Sequence, residues 1–465
     1  MNRSNGPRKL QDLPSSSLFL KNYKFKKYLH FDFRLLKDNN QKLECMMNEI
    51  RDPKWVSSYA FFPYIHFEIV FKKYVTIKTV EDGKIQKTKE SRKKVRKIYY
   101  AAHRDSIIYK YYGDLLNDAY NKFVIANNLD DVAIAYRNNK PGKNNIYFAH
   151  EVFDTLMKQD QAIVIALDFT SFFDKISHKA LKRNLKKVLN VSELSDDWYA
   201  IYKNLTRYSY IDKEDIDNFL LDKYGRKKLR NIRHKLPRLM NSYEFRAFKQ
   251  NKIKINDQKY GIPQGSAISA VCSNVHLIEF DSRVLEWVKS KNPDALYRRY
   301  CDDLVLVIPT EEVSSSLLKN LNQELIDIVE SFSNEGLVIQ PEKTELKLFK
   351  DTRIYDIDEN LSSFDYLGFV TDGHTIKIRE KSLFKYYSRA YKKAKDSKRI
   401  SLATRKPGPK RELYDIYTHL GFEHLGYGNF ITYANKAHHI MSTLPCKSLI
   451  SRQVARHWNK IHKRL

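Results

Sequence analysis

The spacing of apolar residues changes character several times along the chain, and each change marks an element. From Ser57 to Val75 (SSYAFFPYIHFEIVFKKYV) aromatic and β-branched residues crowd together, which favours strand. Asp82-Gly83 then offers a hairpin turn, followed by a basic block at Ser91–Lys97. Between Ser106 and Asn127, residues such as Ile107, Ile108, Tyr111, Tyr112, Leu115, Leu116 and Tyr120 fall at helical spacing. Ala133–Ala149 (AIAYRNNKPGKNNIYFA) reads as a short apolar strand and a loop, and Ala162–Leu167 as a buried strand that delivers Asp168 at its end. Leu194–Asn256 is mostly helical and basic; Pro263–Ser266 is a tight turn, and one helix over Ala267–Val288 follows, with small residues in its first turns.

Tyr297–Pro309 (YRRYCDDLVLVIP) has apolar or aromatic residues on both sides of Asp302-Asp303, so it predicts a hairpin tipped by the two acids, with its second strand over Leu304–Ile308. A helix is expected over Glu311–Asn334. LVIQPEKTELKLF then gives a strand, a proline turn carrying Lys343, and another strand. Phe364–Ile378 predicts a hairpin around Asp372-Gly373; Arg379–Leu465 is helical and very basic, interrupted by KPGP at Lys406–Pro409. At the other end, residues 1–50 read as a loose polar tail, broken by PSSS at Pro14–Ser17, and then helix.

Chemistry enters through the acids. Two carboxylates at a strand turn can hold a hard cation such as Mg2+, which takes one or two carboxylates together with substrate phosphates, although a plain polar turn has the same composition. Asp168, at the end of a second apolar strand, could complete such a site, with Asp168 and Asp302 bridging two cations about 3.5–4 Å apart; Asp168 could equally cap a helix together with Thr170, Ser171 and Asp174. The loop with Arg137, Lys140, Gly142, Lys143 and Asn144 can contact a triphosphate or simply be solvated.

Charge narrows the partners. Lys and Arg number 83 against 55 Asp and Glu, a net +28, and 31 Tyr and 25 Phe are mixed with them. Such a surplus suits phosphates to neutralise and bases to stack on; the Lys, Asn, Ile and Tyr usage of a low-GC genome gives a similar balance. Cys45, Cys272, Cys301 and Cys446 form no CxxC pair, and the six histidines from His419 to His462 have no zinc spacing, so neither a disulfide framework nor a zinc site is indicated. No signal peptide or apolar run of about 18 residues is present, so a soluble cytoplasmic protein with no membrane partner is expected.

The order LDFTSFFD, GIPQGSAIS, YCDD, GLVIQPEKT and FDYLGF resembles palm motifs A to E of reverse transcriptases, and RKIYYAAHRDS and AYRNNKPGKNN resemble the fingers motifs before them. The resemblance runs from about Lys94 to Val370 and is similar to bacterial enzymes of the retron, group II intron and phage-defence groups. Cys301 stands where alanine is usual and the stretch between motifs A and B is long, which favours the defence-associated, abortive-infection enzymes. The implied fold is α+β, a right-hand polymerase: an N-terminal extension and start of fingers over 1–90, fingers over 91–160, a palm over 161–375 with a basic insertion at about 194–256, and a helical thumb over 376–465.

The resemblance also implies roles. Asp168, Asp302 and Asp303 would be catalytic, with Asp168, Phe169, Asp302 and Asp303 at a site for two Mg2+ ions, or Mn2+ in their place. Phe173, with Phe172 beside it, would exclude a 2′-hydroxyl; Gln264 and Gly265 would line the nascent base pair; Arg137 and Lys143 would clamp phosphates; Lys343 would be a general acid; and Tyr366, Leu367, Gly368 and Phe369 would grip the primer. The expected activity is RNA-directed DNA synthesis from dNTPs on a dedicated non-coding RNA in anti-phage defence, by a bacterial cytoplasmic enzyme whose DNA product and RNA are its partners, with a homo-oligomer open. Protein-primed or template-independent synthesis is the alternative within the same chemistry. An inactive nucleic-acid-binding scaffold is the alternative outside it.

Overall fold

The computed structural model describes Phe19 and residues 23–35, 40–81 and 84–465. The expected N-terminal tail and the Asp82-Gly83 turn lie outside the described residues. In chain order the strands are β1 (Tyr64–Glu81), β2 (Lys84–Tyr100), β3 (Gln161–Asp168), β4 (Ser209–Asp212), β5 (Lys254–Ile255), β6 (Leu296–Tyr300), β7 (Asp303–Pro309), β8 (Glu345–Lys350), β9 (Arg353–Tyr355), β10 (Phe364–Tyr366), β11 (Phe369–Thr371), β12 (Thr375–Ile378) and β13 (Lys447–Ser448). With the helices between them they form an α+β protein that divides into two compact units.

One unit comprises the residues up to Phe123, Ser171–Ile278 and Asn334–Gly336. Its sheet has the order β2-β1-β4-β5: β1 and β2 are antiparallel partners, and β4 joins β1 in parallel with Tyr64 opposite Tyr210. The basic stretch between the first two acidic motifs folds into helices Asp196–Thr206, Lys213–Tyr224, Arg226–Ile232 and Ser242–Lys252, and supplies β4 and β5. It is built into the unit, because Ile211, Ile216, Leu220, Leu229, Leu239 and Met240 share one apolar core with Leu29, Phe31 and Ile65.

The other unit comprises Val124–Thr170, Glu279–Ser333 and Leu337–Leu465. Its main sheet runs β6-β7-β3-β8-β9, antiparallel throughout. The central strands are buried on both faces, which is why Ala162–Leu167 and Leu304–Ile308 read as continuous apolar runs rather than alternating ones. Ala162, Val164, Val305, Val307 and Phe349 pack with Ile146, Val152 and Phe153 of helix Asn145–Met157 and with Ile431 and Ala434 of helix Phe430–Met441. A second sheet, β10-β11-β12-β13, joins the same core through Phe364, Phe369 and Ile376.

Several expectations are corrected. Ala267–Val288 is two helices, Ala267–His276 and Ile278–Lys291, broken at Leu277, whose N–H turns back to the Asn274 carbonyl. The helix expected from Glu311 starts at Ser315, where Ser314 caps the Leu317 N–H. The short strands expected at Ala133 and before Pro341 shrink to single bridges, Ala133 to Arg299 and Ile339 to Phe169. Phe364–Ile378 holds three strands and two turns, not one hairpin. Among the described residues no helix is long and apolar enough to cross a membrane.

Candidate active site

The register of two neighbouring strands builds the site. β3 and β7 pair so that Asp168 lies directly opposite Asp303, and residues opposite one another across an antiparallel pair share a face. β6 and β7 close with Tyr300 opposite Asp303, leaving Cys301-Asp302 as a two-residue turn. The second strand thus begins at Asp303 and runs to Pro309, one residue longer at each end than the apolar pattern marks. Cys301 has φ 62, a left-handed conformation usually given to glycine at the first position of such turns. Burial, and then the charge of Asp302, push its thiol up to about 12.

A third segment crosses the end of β3. Thr170 N–H donates to the Val338 carbonyl at 2.8 Å and Gln340 N–H to the Asp168 carbonyl at 2.8 Å, so Phe169 and Ile339 face one another. The turn Pro341–Lys343 then brings the Lys343 ammonium against Asp168 Oδ2 as an ion pair. Asp168 is 3% exposed, and neither carboxylate oxygen is met in hydrogen-bond geometry. Phe169 is buried with its ring edge-on to Phe280 at 5.6 Å, so the backbone at this position is what faces the site's end of the strand.

Among the described residues no three His, Cys, Asp or Glu side chains are disposed to hold an ion as they stand. The donor set nevertheless fits one. Asp168 is a buried carboxylate without hydrogen-bond donors and balanced by a lysine, with Asp303 across the ladder and the half-exposed Asp302 in the adjoining turn. Hard divalent cations take such oxygens.

The other expected residues are placed as follows. The Arg137 guanidinium is fully buried and donates to the Asp130 carboxylate at 2.5 Å and to the Asp130 and Ala133 carbonyls at 3.0 Å each, so as placed it is not available to a triphosphate. Burial opposes ionisation of Asp130, yet the hydrogen bonds from Lys140 and Arg137 outweigh it and hold its carboxyl down at about 2. Asn144 caps helix Asn145–Met157 by accepting from the Ile146 N–H at 2.9 Å, so the loop is the run-in to a helix. Lys143, beside it, is exposed.

At the β10–β11 turn Tyr366 and Phe369 are buried in the core, and Leu367 (φ 46) and Gly368 (φ 93) form the turn. Asn145 Nδ2 donates to the Leu367 carbonyl at 3.0 Å and braces it. What this hairpin offers outward is its turn, not its aromatic rings. Burial, and then the charge of Asp303, raise the Tyr366 hydroxyl well above its ordinary value.

Phe172, Phe173, Gln264 and Gly265 belong to the other compact unit. Phe172 is buried and Phe173 half-buried, their rings edge-on at 5.7 Å, so Phe173 is the accessible one. The Phe173 carbonyl accepts from Ile262 N–H at 3.0 Å, tying it to the turn that carries Gln264. Gly265 has φ 126, and a β-carbon there would lie 2.5 Å from the Tyr99 carbonyl oxygen. Only glycine fits, because Tyr99 N–H closes on the Gln264 carbonyl at 2.9 Å.

Sequence reasoning missed Arg299, which supports the turn that carries Asp302. Arg299 is fully buried, bound to Asp281 at 2.8 and 2.6 Å, and donates from Nη1 to the Cys301 carbonyl at 2.8 Å. Its alternation with Tyr297, whose hydroxyl donates to the same Asp281 at 2.7 Å, was the available signal.

An antiparallel palm sheet with paired carboxylates at the ends of its central strands, and a lysine set against one of them, defines an α+β protein of the right-hand polymerase class. The family described as "Reverse transcriptase (RNA-dependent DNA polymerase)" matches residues 88–371, well over half of the sequence, and the chain belongs to it. The chain is 29% identical over 135 residues to the putative transposase YncI of Escherichia coli O157:H7, covering 28% of this chain and 33% of that protein. It is 28% identical over 135 residues to YncI of Escherichia coli strain K12, covering 28% and 52%. The chain thus matches only a third to a half of the length of these curated relatives. Among solved structures, telomerase from Candida albicans in complex with a fragment of telomeric RNA is 13% identical, with a TM-score of 0.38, over 91% of this chain and 68% of that one. Apo telomerase from Candida tropicalis truncated from its C-terminal domain is 12% identical, with a TM-score of 0.38, over 71% and 59%. Likenesses this remote carry no further argument.

Proposed function

We propose that this chain is an RNA-directed DNA polymerase that synthesises DNA from dNTPs by two-metal nucleotidyl transfer, copying an associated non-coding RNA in defence against phage. The observation that carries the reading is the register that sets Asp168 opposite Asp303, with the buried Asp168 carboxylate balanced by the Lys343 ammonium. Asp168 and Asp302 hold the cations, with Asp303 and the Phe169 position beside them. When bound, two Mg2+ ions supply activation of the 3′-hydroxyl and neutralise charge on the triphosphate and leaving pyrophosphate.

The chain's own residues do the rest. Lys343 donates a proton to the departing pyrophosphate. By the motif resemblance Phe173 would exclude a 2′-hydroxyl, Gln264 and Gly265 would line the new base pair, and Lys143 would contact phosphate. The Leu367-Gly368 turn carries the primer end. The fingers and thumb, at the limits read from the sequence, follow the duplex through its backbone, where cations and shape suffice. The FFD and IPQGSAIS wording supports a bacterial enzyme, the unpaired cysteine spacing suits a reducing cytoplasm, and Cys301 and the long stretch between motifs support the defence group. Protein-primed synthesis at the same site is the second reading.

The test is to purify the protein with its bound RNA, supply dNTPs with Mg2+ or Mn2+, and compare the wild type with Asp302→Ala and Asp303→Ala. Incorporation by the wild type alone is expected. None under any primer or template would sink the enzymatic reading. Product that persists after RNase removes all RNA would count against templating, and product attached to protein would favour the second reading.

A further inference from the structure

In the unit that carries Asp168, one helix start is tied to a turn and to a second helix by a single side chain. Asn145 is the first residue of helix Asn145–Met157, and its Nδ2 donates to the Leu367 carbonyl at 3.0 Å and to the Tyr433 hydroxyl at 2.9 Å. An amide nitrogen carries two hydrogens and a carbonyl only accepts, so both bonds form at once and fix which way the amide faces. Asn145 is itself held, because Asn144 caps the helix by accepting from the Ile146 N–H at 2.9 Å. Tyr433 is held from helix Phe430–Met441, its ring stacked on Phe369 at 6.3 Å.

The turn needs such a hold. Leu367 and Gly368 are the two central residues of a hairpin closed by Tyr366 opposite Phe369, at φ 46 and φ 93. Glycine takes such a φ freely and leucine does not, so the backbone at 367 by itself favours glycine or asparagine. The Leu367 side chain packs on the apolar core, and the two carbonyls of the turn are secured differently. That of Gly368 accepts from a backbone donor, the Arg379 N–H at 2.9 Å; that of Leu367 accepts from Asn145, 222 positions earlier in the chain. A trans peptide is planar, with its C=O and N–H on opposite edges. Drawing the Leu367 carbonyl toward Asn145 therefore sets the Gly368 N–H on the far edge.

We propose that Asn145 is a positioning residue for the primer end: its amide, backed by Tyr433, fixes the Leu367–Gly368 peptide with the N–H edge turned to the primer backbone. The proposal rests on the reading of this turn as the carrier of the primer end and adds the residue that aims it. It also gives a reason for asparagine at 145, since an aspartate of the same size has no hydrogen to give the carbonyl.

The test uses the full chain and a DNA primer annealed to an RNA template with a recessed 3′ end, carrying 2-aminopurine at its last position to report how the end is held. Asn145→Asp is expected to raise the KM for the annealed primer about three- to tenfold and to leave the KM for dNTP at the wild-type value. A smaller folded fraction would lower kcat alone and would not give that split. Tyr433→Phe, which removes only the second bond, should raise the primer KM about two- to threefold, and it carries the same comparison if Asn145→Asp does not fold. A wild-type primer KM in both folded variants overturns the proposal, and so does an equal rise in the two KM values. If the wild type incorporates nothing, the reporter decides. A 2-aminopurine signal that differs between the bound variant and the bound wild type keeps the positioning role and sinks the polymerase reading alone, whereas identical signals overturn the positioning role.

Discussion

Two buried aspartates in one unit are treated in opposite ways. Asp281 is 2% exposed and fully answered: Arg299 reaches both its oxygens, and the Tyr297 hydroxyl adds a third hydrogen bond. Asp168 is 3% exposed and accepts no hydrogen bond at either oxygen, with the 36%-exposed Lys343 side chain as the cation against it. A buried carboxylate balanced by a single, partly exposed lysine is tied to the fold by fewer bonds than one held by a buried arginine and a tyrosine. Asp281 serves the fold by holding Arg299 against the Cys301 turn; Asp168 is the residue proposed to hold a cation. A third case, in the other unit, is Asp105, which accepts from the Tyr59 hydroxyl at 2.8 Å and the Phe62 N–H at 3.0 Å with no cation bound to its oxygens by either bond. Burial raises its carboxyl to about 8.

Replacing each by its neutral isostere separates the three. Asp281→Asn strands the buried Arg299 charge and is expected to destabilise the protein by about 3–5 kcal/mol, read from the shift of its denaturant midpoint. Asp168→Asn should leave that midpoint at or above the wild-type value while lowering incorporation by about 10²–10³-fold or more in a primer-extension assay. Equal loss of stability in both variants would erase the distinction between them.

Asp105 is read by pH. Its folded-state carboxyl titrates above the unfolded one, so between about pH 4 and pH 8 the folded chain keeps a proton that the unfolded chain has released. Stability is full below that window and is lost as pH rises through it, by up to about 1.4 kcal/mol per pH unit. Because the buried His30 and His103 add stability as pH rises toward 6.5, Asp105 is read from the difference: urea midpoints should fall more steeply, or rise less, from pH 5 to 8 in the wild type than in Asp105→Asn. Parallel profiles in the two would show that Asp105 keeps no proton in the folded chain across this range.

The two strands that carry Asp168 and Asp303 were legible because their signals are local. A continuous apolar run ending in one acid, and a second run beginning after two acids, identify β3 and β7, since strands buried on both faces have no other way to read. The break at Leu277 was not legible, because the apolar pattern runs on through two consecutive helices without a glycine or proline between them. Arg137 misled for a related reason: a cation in a polar loop looks solvated, and only the fold brings Asp130 back upon it. Tyr366 and Phe369 likewise read as contact residues, and the core took both rings.

By itself the sequence determined the apolar strands, the acids at their ends, the α+β class and the order of motifs. These follow from the identity of residues adjacent in the chain. Tertiary structure decided the register that sets Asp168 against Asp303, the return of Lys343 to Asp168, and the burial of Arg137 and Arg299. Those are contacts between residues from 7 to 175 positions apart, set by hydrogen-bond ladders and packing that no local pattern encodes.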